Sequence, residues 1–298
     1  MKKLFIAIFA IFIVLVLASD EASSQVQPTI AVIDTGIDMT HPVLQNKITQ
    51  EVCIMDFKLC PNGNSFMEGT GAATLDPIKS VNNGFYHGTQ MSSVIINNNP
   101  NAKIVFIRIV GMNSNGSRAS TSINAIAKAM DWIVANQSKY NISVVSMSMS
   151  TSCVKNTTIE KDISKLQSIN VPSIFPTGNG YDYTKIDFPA CIPQSVAVGA
   201  LDQDYGKGMF PALYSNNSID TDFYALGTMK VAGPNGTYVN GVGTSISSAL
   251  LASKWLLLKN NYSQYSQQEI YNKFISYSRT VSTKKVSNVI AIDMAQVK

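Results

Sequence analysis

Short aliphatic and β-branched runs alternate along this chain with stretches whose apolar residues recur at helical spacing, and no other feature narrows the fold as far. Ile30–Ile33 is a four-residue apolar run that stops at Asp34-Thr35-Gly36. Ile104–Val110 is a second run, interrupted only by Arg108, and Val144–Ser148, Ser173–Phe175 and Val196–Val198 follow. Between them Ile123, Ile126, Ala127, Met130, Ile133 and Val134 share one helical face, and Ile159, Ile163, Leu166 and Ile169 share another. Strands separated by helices imply right-handed crossovers and a parallel sheet covered on both faces. The expected fold is α/β, a three-layer parallel sheet flanked by helices on both faces, in one domain over residues 25–298.

Two stretches break this rhythm. Cys53 to Asn83 contains Gly, Asn, Thr and Pro with little periodicity and reads as an irregular excursion. The last forty or so residues, rich in Ser, Tyr and Lys, read as a helix and surface segments that close the domain. The chain shows no internal repeat.

Residues 1–24 read as an address rather than as part of the fold. Lys2 and Lys3 precede an apolar run from Leu4 to Ala18, shorter than the roughly 20 residues that span a bilayer as a helix. Small residues follow, as in a secretory signal peptide. Export to a secreted or periplasmic location, with no stable membrane contact after cleavage, is the expectation. An oxidising compartment favours disulfides among the four Cys. Of three possible pairings, the short loop from Cys53 to Cys60 is the natural first pair, which leaves Cys153 with Cys191. A net charge of +4 without a dense basic stretch gives no support for nucleic-acid binding. Two His residues, with no paired CxxC and no HExxH, speak against most zinc sites.

Three segments carry chemistry. Asp34 closes the first apolar run, where functional groups of a parallel sheet collect. His87 lies in Tyr86-His87-Gly88-Thr89, a loop that enters a helix through small residues. Ser245 lies in Gly243-Thr244-Ser245-Ile246-Ser247, at the start of an apolar helix whose positive end meets its hydroxyl. Taken singly, these are a turn Asp, a structural His and an N-cap Ser.

Together the segments Ala31-Val32-Ile33-Asp34-Thr35-Gly36-Ile37-Asp38, His87-Gly88-Thr89 and Gly243-Thr244-Ser245-Ile246-Ser247 resemble the Asp, His and Ser signatures of the subtilisin-like serine proteases, in the same order. The resemblance runs from about Thr29 to Lys259. It implies Ser245 as nucleophile, His87 as general base and Asp34 as the carboxylate that orients the imidazole. An imidazole base works in its neutral form, so activity is expected to rise with pH through about 6.5. The resemblance also implies Asn179, in Thr177-Gly178-Asn179-Gly180, as an oxyanion donor. Protein or peptide substrate is expected to lie extended along Ser148-Met149-Ser150, with an opposite edge around Ser117 to Thr121. Asp187 aligns with the base of the primary specificity pocket, where a carboxylate would pair with a substrate Lys or Arg.

Several positions depart from the family pattern. His41-Pro42 is followed by Val43-Leu44 where the family commonly has a calcium-binding Asp, so no cofactor is expected. Ala249 replaces the usual Pro of the helix after Ser245, and Ser150-Thr151 replaces a Gly. About ten residues separate the apolar run from the first strand, which leaves no room for the usual propeptide. The domain is therefore expected to fold unaided, with another chain, or with help from its disulfides. Three other readings compete with this one. An aspartic protease needs a second Asp-Thr-Gly, and an α/β-hydrolase needs Gly-x-Ser-x-Gly, which Ser247 breaks. A catalytically silent binding protein of the same fold is the alternative function.

Overall fold

The computed structural model describes residues 27–75, 85–112, 121–204, 208–283 and 285–298. The expected address over residues 1–24 lies outside them. Strand β1 (Thr29–Asp34) runs through the middle of the sheet, parallel to β4 (Lys103–Arg108) on one side and β5 (Ile142–Met147) on the other. Beyond β4 come β2 (Ile48–Ile54), parallel, and β3 (Phe66–Glu68), antiparallel. Beyond β5 the parallel array continues through β6 (Ser173–Pro176), β7 (Val196–Asp204), β9 (Phe223–Leu226) and β13 (Val289–Ile292). Strand β12 (Ser278–Val281) closes that end antiparallel, and β8 (Gly208–Pro211) folds back on β7. Strands β10 (Thr228–Ala232) and β11 (Tyr238–Val242) form a separate hairpin.

The pleat sends alternate residues of β1 to opposite layers. Ile30 and Val32 pack with α1 (His87–Asn98) and α4 (Thr244–Asn261). Ala31 and Ile33 pack with α2 (Ile123–Asn136) and α3 (Thr157–Ser168) on the other face. All six residues of β1 are buried, as a strand covered on both sides requires. Helix α4 is buried on most of its circumference, from Ile246 through Trp255 to Leu258, because it lies between the sheet, α1 and α5 (Gln267–Ser276). Its sequence accordingly lacks a polar face.

Polar side chains set the helix starts. The Ser122 hydroxyl accepts from Ala125 N (3.1 Å), Asn156 Oδ1 accepts from Ile159 N (3.1 Å), and Ser266 forms a reciprocal capping box with Glu269. Two expectations need correction. The C-terminal segment adds β12 and β13 to the sheet, where the polar composition had suggested surface segments; β12 is an edge strand masked by Ser, Thr and Arg, and β13 is a four-residue apolar run inside the array. Ile169 is not on the helical face of α3 but caps its end, 48% exposed. The excursion after Cys53 contains β3, and residues 76–84 lie outside the described chain. Disulfides join Cys53 to Cys60 and Cys153 to Cys191, with Cα separations of 5.8 and 6.3 Å. Among the described residues no helix is long and apolar enough to cross a membrane.

Candidate active site

The candidate residues collect at the carboxyl ends of neighbouring strands. Asp34 ends β1, Ser148 follows β5 and Asn179 follows β6, and these three strands are adjacent in the order β6-β5-β1. Helix α4 packs against all three and brings Ser245, its second residue, to that end.

Asp34 is fully buried, and both of its oxygens face the imidazole of His87: Nδ1 lies 2.9 Å from Oδ1 and 3.0 Å from Oδ2. A carboxylate so placed holds the proton on Nδ1 and leaves Nε2 as the basic nitrogen. The backbone around the pair is tightly joined. Thr35 N donates to Asp34 Oδ1 (2.7 Å), Thr35 Oγ1 donates to Phe85 O (2.6 Å), and Gly88 N donates back to Thr35 Oγ1 (3.1 Å). Thr89 Oγ1 accepts from Asp38 N (2.9 Å). Thr35 thus satisfies a free N–H in the first turn of α1, where the N-cap residue Tyr86 offers no side-chain bond. Gly88 allows the approach: a Cβ there would sit 2.4 Å from Gly36 O and 2.6 Å from Phe106 Cζ.

Flanking groups steady this corner. The Tyr86 hydroxyl lies between Asp38 Oδ2 (2.8 Å) and Gly233 O (3.0 Å). Burial and the Asp38 carboxylate push its pKa up, so it stays a donor. Arg108, buried at the end of β4, donates to Val110 O (3.0 Å). Burial lowers its pKa to about 10, which leaves it charged at neutral pH.

Ser245 is half-buried, one residue inside α4, after Gly243 at a φ of +146°. Its hydroxyl donates to Ser148 O (2.8 Å), and the Ser148 hydroxyl donates to Ser245 O (3.2 Å). Asn179 is exposed, and its Oδ1 accepts from Thr244 N (2.9 Å) and from Thr244 Oγ1 (3.0 Å). With Oδ1 occupied on the helix side, Nδ2 is the end of the amide left to the cleft.

Asp187 lines a cleft of about 360 Å³ together with Ser152, Cys153, Gly180, Lys185 and Asn216. Its Oδ2 accepts from Ser150 Oγ (2.8 Å) and its Oδ1 from Asn216 Nδ2 (3.2 Å). Lys185 turns to Asp182 (3.9 Å). The walls are joined by Thr151 and Phe188, which exchange two backbone bonds (3.1 and 2.8 Å), and by the Cys153–Cys191 disulfide. Met149 lies on a second, smaller cavity with Thr121, Ser122, Ile123 and Ile126. Residues 117–120 of the expected opposite edge lie outside the described chain.

The expected calcium position does not fit a cation. Val43 and Leu44 offer no side-chain oxygen, and the buried His41 uses its ring nitrogens on Thr237 O (3.1 Å) and Val43 N (3.3 Å). Among the described residues no group of three or more His, Cys, Asp or Glu is placed to hold a metal. Sequence reasoning missed Thr35 and Asn216, whose partners lie far away in the chain. Only Thr35, inside a recognised motif, carried a signal.

The chain is similar in sequence and fold to known proteases. The chain is 28% identical over 254 residues to an alkaline protease of Alkalihalobacillus alcalophilus, covering 82% of this chain and 57% of that protein. It is 27% identical to subtilisin BL of Lederbergia lenta, covering 82% of this chain and 80% of the relative. Among solved structures, proteases from Pseudoalteromonas arctica superpose with a TM-score of 0.71 at 20% identity, over 90% of this chain and 88% of theirs, a likeness of fold. The profile of the subtilase family matches residues 26–290, nearly the whole sequence, and the chain belongs to that family.

Proposed function

We propose that this chain is an exported serine endopeptidase that prefers Lys or Arg before the cleaved bond. The single observation carrying the reading is the His87 imidazole held by both oxygens of a fully buried Asp34 carboxylate. Asp34 fixes the tautomer of His87 and stabilises the imidazolium that forms. His87 takes the Ser245 proton as the oxygen attacks the substrate carbonyl, then donates it to the departing amine. In the resting arrangement that proton goes to Ser148 O, so this bond is released when the hydroxyl turns to the imidazole. Contacts of this kind commonly tighten only once substrate binds.

The tetrahedral intermediate carries a negative oxygen, and Asn179 Nδ2 with the Ser245 amide at the positive end of α4 would receive it. Water then attacks the acyl-enzyme by the reverse sequence. The edge Ser148-Met149-Ser150 would pair with the extended peptide. A substrate ammonium or guanidinium reaching Asp187 meets a carboxylate already aimed by Ser150 and Asn216, with Lys185 engaged elsewhere. Export is supported by the apolar run Leu4–Ala18 and by two disulfides, which persist in oxidising compartments.

The test is peptide-library hydrolysis by the purified chain and by Ser245→Ala. The expected outcome is cleavage concentrated after Lys and Arg, abolished in a variant that still folds. Cleavage mainly after large apolar residues would remove the Asp187 assignment, and hydrolysis surviving Ser245→Ala would remove the nucleophile.

A further inference from the structure

The pocket carboxylate and the loop bearing the oxyanion donor meet in one buried side chain. Asn216 is 3% exposed. Its Oδ1 accepts from Gly180 N (2.7 Å) and Asp182 N (3.1 Å), and its Nδ2 donates to Asp187 Oδ1 (3.2 Å). Gly180 follows Asn179 directly, so one planar amide joins the Asn179 loop to the base of the pocket. The surrounding backbone is paired as well. Asn216 N donates to Gly178 O (2.9 Å), Tyr181 N to Tyr214 O (3.1 Å), and Asn217 N to Asp182 O (2.8 Å).

Nothing in this joint is slack. Gly178 has a φ of +104°, and a Cβ on it would lie 2.5 Å from Asn216 Nδ2 and 2.3 Å from Asp187 Oδ2. A buried amide has acceptor and donor ends fixed in one plane. Aspartate keeps the acceptor and loses the donor; alanine loses both. Substitution can therefore separate the Nδ2 bond from the two bonds to Oδ1.

We propose that Asn216 is a positioning residue that couples occupancy of the Asp187 pocket to the placement of Asn179, so that a basic substrate side chain raises turnover as well as affinity. The inference rests on the proposed function. A cation drawn to Asp187 acts on the carboxylate that Nδ2 holds. The same amide fixes the N–H groups on which the Asn179 loop turns, and small displacements of oxyanion donors cost much in rate.

The experiment measures kcat and KM for two peptides that differ only in Lys or Leu before the cleaved bond, with thermal unfolding recorded for each protein. In the wild type, Lys is expected to raise kcat and lower KM. Asn216→Ala is expected to lower kcat on both peptides about 10–100-fold and to erase the kcat advantage of Lys, while its KM advantage persists through Asp187. Asn216→Asp retains the acceptor for Gly180 and Asp182. It is expected to recover kcat on the Leu peptide at least about fivefold relative to Asn216→Ala, yet still lack the kcat advantage of Lys. A kcat advantage that survives in Asn216→Asp overturns the coupling, even if Asn216→Ala fails to fold. An active wild type with no preference for Lys overturns the coupling and the Asp187 assignment but leaves the protease reading intact. A wild type inert toward every peptide overturns all three.

Discussion

The Asp34–His87 corner and the Asp187 pocket lie at the same end of the sheet, but they are held by different means. The corner is made by two short segments whose backbones approach so closely that Gly88 has no room for a Cβ. Its bonds run between neighbours of the reacting groups: Thr35 to Phe85, Gly88 to Thr35, Asp38 to Thr89. The pocket is assembled from separate stretches through side chains, namely Ser150, Asp187, Asn216 and the Cys153–Cys191 bridge. Close backbone packing admits almost no substitution, whereas side chains lining a wall can be changed singly, except at Gly178, where a Cβ would meet Asp187 and Asn216. On the proposed reading the chemistry resides in the corner and the choice of substrate in the side-chain wall.

Breaking the corner should have the largest effect. Gly88→Ala drives a methyl into Gly36 O and Phe106, and displaces the helix start that carries His87. Steady-state kinetics should show kcat/KM lower by about 10²-fold or more, with about 1–3 kcal/mol lost in denaturant unfolding. A fully active Gly88→Ala would mean that the corner is softer than its packing indicates.

The pocket should respond differently. Removing the bridge with Cys153→Ser and Cys191→Ser together should cost about 2–4 kcal/mol of stability, since it closes a loop with a sequence separation of 38. Below the melting point, hydrolysis of substrates with a small residue before the cleaved bond should fall less than hydrolysis of Lys substrates. Equal losses on both would erase the distinction between wall and chemistry.

The smallest effect lies outside both regions and serves as a pH control. Asp162 on α3 is raised to about 6, first by burial and then by the neighbouring Asp131 carboxylate, while Lys161 and Lys165 oppose the shift. Unfolded, an aspartate titrates near about 3.9. The folded state therefore binds the proton more tightly; the stabilisation is full below about pH 4 and is lost as pH rises through about 6. Thermal melts of the wild type should drop by about 2–4 °C across that window, and Asp162→Asn should flatten the slope. The activity profile of Asp162→Asn should remain that of the wild type, because the pair lies in the layer of α2 and α3, on the face of the sheet opposite α1 and α4.

The legibility of the molecule in its sequence follows the same division. β1, β4 and β5 are unbroken apolar runs because both of their faces are covered, and such runs stand out from composition alone. The edge strand β12 keeps polar residues on an open side and resembles coil, and β13, though apolar and inside the array, is only four residues long in a polar stretch. Asp34, His87 and Ser245 were readable because each sits in a segment whose glycine is dictated by close approach, as at Gly36 and Gly88, or by a positive φ, as at Gly243. Asn216 was not. Its contacts depend on Gly180, Asp182 and Asp187 folding back upon it, and one Asn of the Asn216-Asn217 pair carries no trace of that in the sequence.

The central claim is that Ser245 is a nucleophile activated by an imidazole that Asp34 orients. Labelling the purified chain with a fluorophosphonate, followed by peptide mass mapping, tests it most directly. The account predicts one adduct, on Ser245, formed at least about 10³-fold more slowly in His87→Ala. An adduct elsewhere, or labelling of Ser245 at an undiminished rate in His87→Ala, would contradict it.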